Sequence, residues 1–147
     1  MVDFQRSKVY ALDNVVVASV VPQKIQSEEF LNTLKDWIWT QLRLELPPKL
    51  RVASEANKGK STGWRHEIVL SQSHANEHIM LHELAHCFND LYGEDMNDGH
   101  GPNYVARYMF LLNFFYKVDE NMLMAKMNDH KVKVNLGLYY KLKQIYV

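Results

Sequence analysis

His82, Glu83 and His86 stand in the spacing H-E-x-x-H, and His100 follows a short polar loop in the run His100-Gly101-Pro102. On a helix, residues four apart lie on one face, one turn above each other, so the rings of His82 and His86 can converge on a single metal ion. Glu83 sits one position round, where its carboxylate can reach a water on that metal without ligating it. Those are the requirements of a zinc hydrolase. The pattern is scarce by accident: a 147-residue chain with seven histidines is expected to show it roughly 0.02 times.

Catalytic zinc takes three protein ligands and keeps one position open for water. His100 is the best third donor. A helix running six residues past His86 advances about 9 Å, and the residues Gly93 to Gly99 can span roughly 23 Å when extended, enough to bring His100 back. Glu94, Asp95 and Asp98 compete in the same loop and otherwise read as solvated. His78 shares the face of His82, but a third donor along one straight helix cannot close a compact tetrahedron, so it reads as an outer or exposed residue. His66, His74 and His130 read as surface or loop residues, and Cys87 as a small buried apolar one. Three neutral imidazoles leave zinc net positive, which draws the pKa of its water towards neutrality. Glu83 is then placed to take a proton from that water and pass it to the leaving amine. Asn76, Tyr92, Tyr104 and Arg107 are oxyanion donors by residue type alone, each with a structural reading beside it.

The elements that must hold these groups follow from pattern. Val9–Leu12 and Val15–Val21 are β-branched and read as strands around a turn at Asp13-Asn14. A helix from Ser27 to about Leu42 carries Phe30, Leu34, Trp37, Ile38 and Leu42 at helical spacing, with Ser27 as cap. Strands follow at Leu50–Ala53 and Gly63–Leu70, around a turn cluster at Asn57–Lys60. The strand before a metal helix can be a sheet edge that pairs with an extended substrate, or simply an interior strand. The metal helix starts after Ser73 or Asn76 and runs to about Tyr92, with Gly93 as C-cap. Pro102 opens a helix to about Lys117 that is apolar nearly all round and so deeply buried. Asp119 to about Asp129 is a further helix, and Lys131–Val147 fits either a strand or a helix.

Length and an apolar content of 47% predict one globular domain, residues 1–147. Net charge is zero but uneven: residues 62–100 hold seven acidic groups against Arg65, while 101–147 hold seven basic against three acidic. The acidic excess surrounds the candidate site and favours a dication. A single cysteine excludes an intrachain disulfide and points to a reducing compartment. No apolar run approaches membrane-spanning length and Met1 to Lys8 lacks a signal-peptide pattern. The expectation is a soluble cytoplasmic protein, of a cell or of a virus acting in its host.

Val9-Tyr10-Ala11, Pro47-Pro48-Lys49-Leu50-Arg51-Val52, Leu81-His82-Glu83-Leu84-Ala85-His86 and His100-Gly101-Pro102-Asn103-Tyr104-Val105 together resemble the SprT-like and related single-domain zinc metallopeptidases of bacteria and phages. The likeness covers the chain to about Phe115. H-E-L-A-H is shared by many zincins; H-G-P with an aromatic two residues on is more discriminating, and it carries His100 over as third ligand. The resemblance implies an α+β, minimal zincin-like fold: a small, mostly antiparallel sheet on the metal helix, and a following helix whose entrance donates the last ligand. It departs at Tyr104, where phenylalanine is expected, and a single cysteine excludes the zinc ribbon many relatives carry. Some relatives act on proteins attached to DNA, and Lys131, Lys133, Lys141 and Lys143 among Tyr139, Tyr140 and Tyr146 could meet a phosphate backbone or form a solvated face. The expected function is a Zn2+-dependent metallopeptidase acting on a protein or peptide substrate, with Glu83 as general base and His82, His86 and His100 as ligands. The alternative is a non-enzymatic, zinc-containing binding module that contacts DNA or a protein through its basic tail. Glu83 separates the two, because a structural zinc site has no need of an acid beside its first ligand.

Overall fold

The computed structural model describes residues 5–54, 61–64, 66–91 and 99–146. In chain order these residues form α1 (Arg6–Leu12), a π-helical turn (Asp13–Val17), α2 (Ala18–Val20), α3 (Glu28–Gln41), β1 (Lys49–Ala53), β2 (Thr62–Trp64), β3 (Glu67–Ser71), α4 (Glu77–Asp90), α5 (Pro102–Tyr116), α6 (Glu120–Asp129) and α7 (Leu136–Tyr146). The architecture is α+β, with seven α-helices and one three-stranded sheet among the described residues. Contacts divide the chain into two compact units, Pro22–Leu91 and Met1–Val21 with Tyr92–Val147. The expected turn at Asn57–Lys60 and the Gly93 cap lie outside the described residues. No described helix is long and apolar enough to cross a membrane.

In the unit Pro22–Leu91, Ser27 caps α3 by accepting from the Phe30 N–H (3.0 Å), and Glu28 and Glu29 in the first turn complement the helix dipole. The apolar face differs from the expected one. Leu31, Ile38, Trp39 and Leu42 are buried, whereas Phe30 and Trp37 stay 44% and 53% exposed. Two stripes overlap on this helix, and packing selects the one holding Trp39. Its indole N–H donates to the Glu45 carbonyl (3.1 Å) and its ring meets Phe88 edge-on at 6.4 Å.

The sheet order is β1-β3-β2. β1 runs parallel to β3, from Lys49↔Glu67 to Ala53↔Ser71, and β2 antiparallel, from Thr62↔Val69 to Trp64↔Glu67. The sheet is therefore mixed, with the longer pairing parallel, and not mostly antiparallel. The run Gly63–Leu70, expected as one strand, doubles back into β2 and β3; no glycine, proline or asparagine at 65–66 announces the reversal. β3, which leads into α4, is thus the interior strand, and Ile68, Val69 and Leu70 are buried as a central strand requires. α3 closes the outer edge of β1: the Val52 N–H donates to Glu28 Oε1 (2.7 Å), and Asn32 Nδ2 donates to the Leu50 carbonyl (3.0 Å). β2 forms the other edge.

In the second unit, the two strands expected within 9–21 are helical. Val9, Leu12, Val17 and Val21 are buried at steps of three, five and four, which is a helical repeat with one long step. The π turn takes up the long step. β-Branched propensity is a weak prior that packing overrides. Asp13, expected in a turn, is buried inside that π segment and accepts from the Tyr108 hydroxyl (2.6 Å). α5 has Pro102 in its first turn and is buried from Tyr104 to Leu112, as its all-round apolar pattern demands. Lys117, left-handed at φ 56°, ends it, and the N–H groups of Lys117 and Val118 return to the Asn113 and Leu112 carbonyls. Asp119 caps α6. The tail resolves as helix: Asn135 Oδ1 accepts from the Leu138 N–H (3.1 Å), and Tyr139 and Leu142 go inside.

Candidate metal centre

Asn76 caps α4, its Oδ1 accepting from the Ile79 N–H (2.8 Å), with Glu77 in the first turn. The cap sets the start of the helix, and with it the phase of every residue beyond. His82 and His86 then fall one turn apart, their ring centroids 5.2 Å from each other and their planes at 66°. Glu83 is 4% exposed, and its Oε1 lies 3.9 Å from His82 Nε2. That is too long for a hydrogen bond, so the carboxylate borders the ring without being tied to it. Its main chain is fixed from the strand side. A Cβ on Gly63 would stand 2.3 Å from the Glu83 carbonyl oxygen and 2.8 Å from its Cα, so the bare backbone of β2 lies directly on α4 at this residue.

His100 is buried at the entrance of α5, followed by Gly101 as N-cap and Pro102 as first helical residue. Its ring sits 5.1 Å from that of Tyr104 and 5.3 Å from that of Tyr10, centroid to centroid. Tyr104 in turn packs on Tyr108 at 5.7 Å, whose hydroxyl is held by Asp13. Among the described residues, His82, His86 and His100 are the group of histidine, cysteine and acidic side chains able to hold a metal ion, each ring offering one nitrogen. Three imidazoles suit zinc, and equally copper, iron or nickel; donor type alone defines a transition-metal site.

The other sequence candidates sort differently. His78 is buried at 3% exposure, whereas His66 and His74 are exposed. Cys87 is buried, as expected, with its Sγ 3.9 Å from the Glu67 carbonyl. Asn76 spends its side-chain oxygen on the helix cap, and Tyr104 and Arg107 are 0% and 2% exposed. Tyr92, Glu94, Asp95 and Asp98 lie outside the described residues. Gln5, which sequence reasoning passed over, and Tyr10, which it read only within the expected strand and the run Val9-Tyr10-Ala11, both stand beside His100. The signal that could have found Tyr10 is the helical repeat of Val9, Leu12, Val17 and Val21, hidden under a β-branched composition. No protein-family model, no curated protein and no solved structure matches this chain.

Proposed function

We propose that this chain is a zinc-dependent metallopeptidase of the minimal zincin type, hydrolysing peptide bonds in a protein or peptide. The observation that carries the reading is the register of α4. Two imidazoles stand side by side at 5.2 Å, with a buried carboxylate between them in sequence and its main chain clamped by Gly63. A helix holding a metal for stability alone has no use for that acid. His82, His86 and His100 are the ligands in this reading. Zinc, when bound, polarises a carbonyl and makes water acidic near neutral pH.

The remaining work falls to side chains and main chain. Glu83 takes a proton from the attacking water and delivers it to the departing amine. An extended substrate pairs with β2, since Glu28 and Asn32 already occupy the outer edge of β1. β2 is also the strand that rests on α4 at Glu83, so a peptide held there runs past the base.

The test is Glu83→Gln. Metal stoichiometry by elemental analysis should equal that of wild type, while cleavage of an unfolded protein substrate falls roughly 10²- to 10⁴-fold. Undiminished cleavage in this variant would remove Glu83 from the mechanism.

A further inference from the structure

Gly99 and Gly101 flank His100, and Gly99 is left-handed at φ 64°. A histidine between two glycines has little local stiffness of its own, so its order must come from packing. Two separate contacts supply it. Gln5 is buried at the start of α1; its Nε2 donates to the His100 carbonyl (3.0 Å) and to the Lys133 carbonyl (2.9 Å), and its Oε1 accepts from the Lys133 N–H. Both amide protons are thereby used, and one side chain ties the His100 main chain to the segment before α7. Tyr10, on the same helix, lays its ring against the His100 imidazole, as Tyr104 does from α5, with centroids at 5.3 Å and 5.1 Å. Tyr10 nevertheless stays 39% exposed, which is poor use of a tyrosine whose only task is to fill a core.

We propose that Gln5 and Tyr10 are positioning residues for His100, Gln5 fixing its main chain and Tyr10 the plane of its ring. The proposal rests on the reading of His100 as a metal ligand. It extends that site to the N-terminal helix, about 90 residues away in sequence. A ligand held by its neighbours binds without first being ordered, and loosening those neighbours weakens the metal.

The experiment titrates the full chain with Zn2+ and Co2+, in wild type, Tyr10→Phe, Tyr10→Leu and Gln5→Met, with far-UV circular dichroism to verify folding. Tyr10→Phe keeps the ring and should bind as wild type does. Tyr10→Leu and Gln5→Met should each lose roughly 10- to 100-fold in affinity, with an altered visible spectrum of the cobalt form at unchanged helix content. Should Gln5→Met fail to fold, Gln5→Glu replaces it, keeping the acceptor for Lys133 and losing the donors. Wild-type affinity and an unaltered cobalt spectrum in folded Tyr10→Leu and in the folded Gln5 variant overturn the proposal while leaving the metal centre intact. Metal binding that survives His100→Ala unchanged overturns the third ligand itself, and a wild-type chain that binds neither ion overturns both.

Discussion

Gly63 and Glu83 meet where a residue without a side chain lies against the main chain of one that carries the proposed chemistry. With a Cβ at 2.3 Å from the Glu83 carbonyl oxygen, Gly63→Ala cannot be accommodated by a rotamer change, because the obstacle is backbone. β2 and α4 must part by a fraction of a bond length or more, and such overpacking costs about 1–3 kcal/mol. Urea unfolding should read that loss, and a change within about 0.5 kcal/mol, the ordinary range for a surface position, would contradict the close approach. The sequence displayed half of this contact. A glycine inside a strand pattern signals a bulge or a near backbone, but nothing in the letters names Glu83 as what approaches. His82, Glu83 and His86, in contrast, were legible in full, since one helical turn is all that brings them together.

At the scale of elements, α6 and α7 are locked by one carboxylate. Glu120 accepts from the Tyr139 hydroxyl (2.5 Å) and from Lys143 Nζ (2.8 Å), and Lys143 also lies over the Tyr139 ring at 5.5 Å. The lysine hydrogen bond, then the tyrosine one, holds the Glu120 carboxyl below its ordinary value of 4.5. A carboxylate whose pKa is depressed by folding contributes stability that is complete above the unfolded value and is lost as the pH falls through the folded one. Glu120→Gln should therefore lower stability at pH 7 and flatten the acid limb below about pH 4.5; a denaturation midpoint with the same pH slope as wild type would refute the lock. The same contacts bear on the basic tail, because Lys143 and Tyr139 already have an intramolecular partner. They also explain how an ambiguous segment became a helix. Leu136, Leu138, Tyr140 and Leu142 alternate like a strand, but Tyr139 and Leu142 are the residues buried, and their spacing of three is helical.

For the whole molecule, a metal that binds the folded chain and not the unfolded one raises stability by mass action. Free zinc at a thousand times its dissociation constant is worth about 4 kcal/mol. The thermal midpoint should rise on adding zinc and fall back with a chelator, as scanning calorimetry would record, and His100→Ala should forfeit most of the rise. An equal rise in that variant would leave His100 outside the site.

Sequence alone determined whatever depends on neighbours within a few turns: the H-E-x-x-H register, the Ser27 cap, Pro102 opening a helix, and an α5 too apolar to be anything but buried. Tertiary structure decided what depends on partners distant along the chain. It turned a valine-rich run at 9–21 into helix, because burial of one face outweighs β-propensity of under about 1 kcal/mol per residue. It chose which stripe of α3 goes inside, made the sheet mixed, and set Gln5 and Tyr10 beside His100. Local preferences are small and additive, whereas a packed interior is satisfied only by the whole set of contacts at once.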